Sequence, residues 1–174
     1  MIVTLIILVV LADLYLFGGY IRVLTWHAWH GNHVEMNGLR FRVPLWYFED
    51  HTDRTNQLNI DTFPVRFSSK AAFINIDFHR QPPAEPDSPQ GERIRQQMGL
   101  GKSASHKVRL ADREGMCVNY FRINSDKNAA DPGGPSHIHC TFGEDLGATF
   151  AGTQDAVADF YAIIASAENV RGKQ

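Results

Sequence analysis

His27, His30 and His33 recur every third residue in TWHAWHGNH. A metal site needs neutral imidazoles converging on one ion. His-x-x-His-x-x-His supplies no carboxylate or thiolate at fixed spacing, so the trio is a weak metal candidate, and contact with lipid headgroups or a partner subunit is favoured. A second group is His137-x-His139 beside Cys140. Alternation along a strand puts the two histidines on one face and the thiol on the other. They read as a sheet-surface pair, and His139 is turned away from the sulfur it would have to activate. GLGKSAS, residues 99–105, ends like a phosphate loop, but Gln96 stands where the earlier glycine is required and no long strand leads into it. There is no G-x-S-x-G, H-E-x-x-H, C-x-x-C or dinucleotide fingerprint. The expectation is a non-catalytic protein that uses no cofactor.

Cys117 and Cys140, the two cysteines, lie in strand-like stretches, MCVNYFRI and HIHCTF. They can face each other across an antiparallel pair. In an oxidising compartment a bridge there closes a loop worth about 3 kcal/mol in the chain-entropy model. Buried free thiols of a cytoplasmic domain are the alternative.

What must position these groups begins with residues 1–24, MIVTLIILVVLADLYLFGGYIRVL, an apolar run with one acid and one base. A hydrocarbon core of about 30 Å takes roughly 20 helical residues, which Ile2 to Ile21 supply before Arg22. No basic residue precedes the run and Gly18-Gly19-Tyr20 poorly imitates a signal-peptidase site, so an uncleaved anchor is favoured over a signal peptide. Asp13 sits near its middle, where an ionised carboxylate costs about 2.5 to 3.5 kcal/mol. Either it stays protonated or nearer one headgroup layer, or it hydrogen-bonds another transmembrane subunit. Gly18 and Gly19 would let such a neighbour approach closely. Trp26 and Trp29 suit the headgroup layer, with Tyr15 and Tyr20 adding to the belt. The chain then divides into an anchor (1–24), a juxtamembrane neck (25–33) and a domain (34–174), with Asp13, Gly18, Gly19, Trp26, Trp29 and His30 as candidate partner contacts.

Some 140 residues after the anchor suffice for one domain. The 17 basic and 19 acidic residues give a net charge of −2, without the basic excess of a nucleic-acid surface. Asn37-Gly38 marks a hairpin turn, after which Leu39, Phe41 and Val43 alternate with Arg40 and Arg42. LNIDTFPVRF and AAFINIDFHR are further half-buried strands. A proline-rich loop, Gln81 to Gln90, precedes a short helix over about 92–98 and a polar connection. MCVNYFRI, SHIHCTFG and GATFAG complete the strands. The closing segment predicts an amphipathic helix: Thr153 is the N-cap, Val157, Phe160, Tyr161 and Ile164 keep helical spacing, Ala156, Ile163 and Ala167 widen the face, and Arg171 and Lys173 suit its carboxyl end.

This succession resembles the PsbP-like α/β/α family, which includes extrinsic photosystem proteins and membrane-anchored bacterial domains. The resemblance rests on LRFRVPLWYF (39–48) and ATFAGTQDAVADFYAIIAS (148–166). It departs in the loop over 81–90 and in the uncleaved anchor. Together with the apolar run, it implies an α+β fold: a transmembrane helix followed by an antiparallel-sheet α/β/α sandwich with the C-terminal helix on the sheet. It also implies a role in docking onto a larger membrane assembly, photosynthetic or otherwise bioenergetic. Arg22, Arg40 and Arg42 lean toward a cytoplasmic domain. The cysteine pair and the resemblance lean outward, to the periplasmic side of the inner membrane, with transmembrane subunits and lipid as partners. A cell-envelope enzyme or assembly factor and a metal or small-ligand carrier using the His-rich neck are the competing readings.

Overall fold

Asn37 and Gly38 both take positive φ, 47° and 81°, the two-residue turn whose twist suits a tight antiparallel hairpin. It joins β1 (His33–Met36) to β2 (Leu39–Arg42), with Val34 opposite Phe41 and Met36 opposite Leu39. These side chains and Val43 are buried, while Glu35, Arg40 and Arg42 between them are exposed. The computed structural model describes residues 2–50, 57–62, 72–78, 89–97, 100–124, 129–130 and 136–170; most side chains before residue 17 lie outside the described set.

Ahead of the hairpin stands one helix, α1 (Ile2–His30). After it come β3 (Tyr47–Glu49), β4 (Gln57–Thr62), β5 (Ala72–Phe78), α2 (Pro89–Gln97), β6 (Leu100–Leu110) and β7 (Arg113–Asn124). The two-residue β8 (Ala129–Ala130), β9 (Ser136–Phe142), β10 (Leu146–Gly152), α3 (Val157–Ala165) and β11 (Glu168–Asn169) follow. The main sheet runs β3-β4-β5-β10-β9-β7-β6, with β8 beside β7, and the small one β1-β2-β11. All the pairings are antiparallel. The fold is therefore α+β. The strands after α2 meander back so that β10 closes against β5.

Alternation decides what the main sheet buries. Leu58, Ile60, Ile74, Ile76, Ile138, Cys140, Phe142, Ala148 and Phe150 point to one face. On that face α3 lays Phe160, Ile163 and Ile164, all buried, each contributing roughly 1.5 to 3 kcal/mol. Tyr161 and Val157 of the expected stripe lie at its margin, partly buried. Thr153 makes no side-chain cap; a 3-10 turn over Gln154–Ala156 intervenes before α3. The helix stops at Ala165 with no base in its last turn, and Arg171 and Lys173 lie outside the described residues. Ser166 ends it instead, its hydroxyl donating to the Ile163 carbonyl and accepting from the Arg42 N–H at 2.8 Å.

Two expectations are corrected. The polar connection before MCVNYFRI is mostly strand: β6 pairs with β7 from Leu100↔Arg122 to Leu110↔Arg113, with a register shift between Lys102 and Ser105. The short helix begins at Pro89, the end of the proline-rich loop whose residues 81–88 lie outside the described set. α1 runs unbroken across residues 24 and 25, where the anchor gives way to the neck in the sequence reading. Among the described residues no helix is long and apolar enough to cross a membrane.

Candidate functional site

The last three turns of α1 lie on β3 and the loop before it. Val23 is fully buried, and Trp26 packs against the main core. His27 reaches the carbonyl of Tyr47 through Nε2 at 3.0 Å and that of Gly31 through Nδ1 at 2.9 Å. Carbonyl oxygens only accept, so the ring nitrogen is the donor in each contact. Arg22 approaches Asp50 at 3.9 Å and covers the Phe48 ring at 5.0 Å from its centroid. Tyr20 meets Trp46 edge-on at 5.7 Å.

Tyr47 is the hub of this junction. Besides receiving His27, it is buried and its hydroxyl donates to Asp159 of α3 at 3.0 Å. Burial, and then the Asp159 charge and hydrogen bond, hold the phenol well above the ordinary tyrosine range. One residue thus joins α1, the edge strand and the C-terminal helix. Nearby on β4, burial raises the Asp61 carboxyl above its usual range; the Thr62 backbone and Arg22 pull it down and Asp50 pushes it up.

The sequence candidates scatter across this geometry. His27 is in the junction. His30 bonds the Trp26 carbonyl at 3.0 Å and stacks on the Trp26 ring, while His33 opens β1 on an exposed position. The three do not converge, and no metal-holding group of His, Cys, Asp or Glu occurs among the described residues. Trp26, expected in the headgroup layer, is half-buried against the domain core; Trp29 is 82% exposed. Gly18 is open around its missing Cβ, Gly19 is half-buried, and the side chain of Asp13 lies outside the described residues. His137 and His139 share a sheet face, opposite Tyr120 and Val118.

Cys117 and Cys140 are joined by a disulfide across directly paired positions of β7 and β9, their Cα atoms 4.0 Å apart and both side chains fully buried. Elsewhere, a shallow apolar cleft of about 340 Å³ lies between the end of β6 and α3, lined by Val108, Ala111, Tyr161 and Ile164 among others. Burial raises the Tyr161 phenol to about 12, and its hydroxyl donates to the Asn119 side chain at 2.9 Å. The cleft offers apolar surface with Arg109 and this phenol as its polar side chains.

Sequence reasoning missed Trp46, Tyr47, Asp50 and the Arg22 contacts. A signal was present: Trp46-Tyr47-Phe48 puts three aromatics in succession after a proline. A strand with one wet face alternates, so successive aromatics at Tyr47 and Phe48, both buried, mark a strand covered on both sides.

No family model matches the chain, and no curated protein matches it. Among solved structures it is similar to the solution structure of cyanobacterial PsbP (CyanoP) from Synechocystis sp. PCC 6803. The identity is 10%, over 79% of this chain and 91% of that one, with a TM-score of 0.47. A likeness at this level carries no argument about activity or partners.

Proposed function

We propose that this chain is a membrane-anchored, non-catalytic accessory subunit that docks onto a larger membrane complex through α1 and an extracytoplasmic domain. The observation that carries the reading is the junction. The helix that bears the apolar run continues unbroken to His30, and Val23, His27 and Arg22 fasten it to the β3 edge. A simple tether has no use for such fastening, since a flexible linker retains chain entropy that an ordered one loses. Fixing the helix to the domain is useful where the domain must meet something at a set height and heading.

At about 1.5 Å per residue the 29 residues of α1 reach about 43 Å, against about 30 Å of hydrocarbon core; the apolar character of its first 21 residues is read from the sequence. On this reading Asp13, Gly18 and Gly19 face transmembrane partners, and Trp29 and His30 face subunits or lipid at the surface. The cystine supports the periplasmic side, because disulfides persist in oxidising compartments. The choice of a photosynthetic or other bioenergetic complex comes from the resemblance to PsbP-like domains, and the non-catalytic assignment from the motif content of the sequence.

The test is extraction of native membranes with alkaline carbonate, followed by mild-detergent purification and identification of what accompanies the protein. Retention in the membrane and stoichiometric recovery of integral subunits are expected. Release by carbonate would refute the anchor, and recovery of the protein alone would refute the accessory role.

A further inference from the structure

Leu45 and Trp46, in the loop between β2 and β3, are 49% and 43% exposed, although their neighbours Val43, Tyr47 and Phe48 are all buried. The two are not an isolated blemish. Trp46 lies edge-on to Tyr20 at 5.7 Å, and Tyr20 lies 6.4 Å from Phe17. Phe17 and Ile21 are themselves about half exposed, 49% and 53%. The loop thus reaches back along α1 past Arg22, where the apolar run ends, and stands level with the last turn of that run. Charge resumes just behind it, in the Arg22 and Asp50 pair beside Phe48. Tryptophan and tyrosine side chains gather at the headgroup level because one end of each ring system is apolar and the other donates a hydrogen bond.

We infer that Leu45 and Trp46 form a second membrane contact, seated in the boundary between headgroups and acyl chains of the lipid bilayer beside α1. Lipid is the occupant because the patch is continuous with the apolar run of α1 and stops at the same level; a protein partner would not need to respect that level. The contact rests on the anchor reading above and deepens it. The domain then stands on the bilayer with its β2–β3 loop down, gripped at two points.

The experiment uses the full chain in phosphatidylcholine vesicles, with Leu45→Cys carrying an environment-sensitive fluorophore and Glu144→Cys, on the exposed β9–β10 turn, as the reference. Iodide should quench the label at 45 several-fold less than at 144, and a nitroxide placed high on the lipid acyl chain should quench it more. Because a label can itself seek lipid, Trp46→Ser in the otherwise native chain is the second measurement. It should remove most of the tryptophan fluorescence that the nitroxide lipid quenches. Equal iodide quenching at 45 and 144, or an unchanged lipid-quenched fraction in Trp46→Ser, overturns the contact when the protein still resists carbonate extraction, which leaves the anchor standing. Release by carbonate overturns both.

Discussion

Reducing the Cys117–Cys140 bond should cost the domain a measurable, calculable part of its stability. The bridged residues are 23 apart in sequence. In the chain-entropy model a loop of that length gives about 3.4 kcal/mol at 25 °C, because the unfolded chain regains the freedom the link had removed. Unfolding entropy scales with length, at about 2.1 cal/mol/K per residue. For a domain of roughly 140 residues, 3.4 kcal/mol then corresponds to a fall in Tm of about 12 °C. The assay is thermal unfolding of the full chain in detergent, followed by near-ultraviolet circular dichroism with and without a phosphine reductant, with intact mass to confirm the gain of two hydrogen atoms. Reduction leaves both sulfurs in the core but parts them from bonding to van der Waals distance, so any packing cost adds to the loop term. A Tm that moves by less than about 2 °C on verified reduction would refute the entropic account. Alkylation of both thiols in native protein without reductant would remove the bond, and with it the support for an oxidising compartment.

Tyr47→Phe keeps the buried ring but deletes the hydrogen bond to Asp159. The expected loss is about 1 kcal/mol, below the usual range for a bond to a charged group because Asp159 is partly solvated, read as a lower denaturation midpoint with unchanged slope. At Gly115 a Cβ would lie 2.4 Å from both the Phe142 ring and the Thr141 carbonyl. Gly115→Ala should therefore cost about 1 to 3 kcal/mol by overpacking, and wild-type stability in this variant would contradict the close approach of β7 and β9. Asp61 has a folded-state pKa above its unfolded one, so the folded state holds the extra proton. Its contribution to stability is lost as pH rises from about 4, the unfolded carboxylate range, through the folded value, and Asp61→Asn should flatten that decline in a Tm-against-pH series. Asp13→Leu should ease insertion by roughly 2.5 to 3.5 kcal/mol while weakening recovery of transmembrane partners; undiminished co-purification in mild detergent would rule out Asp13 as a partner contact.

Much of the domain was legible because its signals are local. Asn37-Gly38 dictates its own turn, and period-two alternation over 58–62 and 72–78 assigned each side chain to its face without knowledge of the neighbour. The strand β6 escaped because GKSAS has no apolar alternation and the register shifts within it; only pairing with β7 makes that stretch extended. Its turn was equally hidden, since Ala111 takes φ 53° where glycine or asparagine is the usual sign. The junction was illegible for a different reason. Trp26 and His27 carry the same composition whether they face lipid or a protein edge, and what decides is β3, twenty residues on. No periodicity within 25–33 encodes it.

The three-stranded sheet has a consequence for how this chain comes into being. Its β1–β2 hairpin is among the first parts of the domain to be synthesised, yet the third strand, β11, is among the last: Glu168 pairs with Arg40, Asn169 with Leu39, and the Val170 N–H bonds the Gly38 carbonyl at 2.8 Å. The helix that covers the core comes just before it. Contacts between such distant parts form slowly, because the loop between them must close first. The newborn hairpin therefore waits, unpaired on one side, until β11 has been made. Residues 168–170 act as the latch on the hairpin, and a chain cut before Glu168 should leave β1 and β2 accessible to protease.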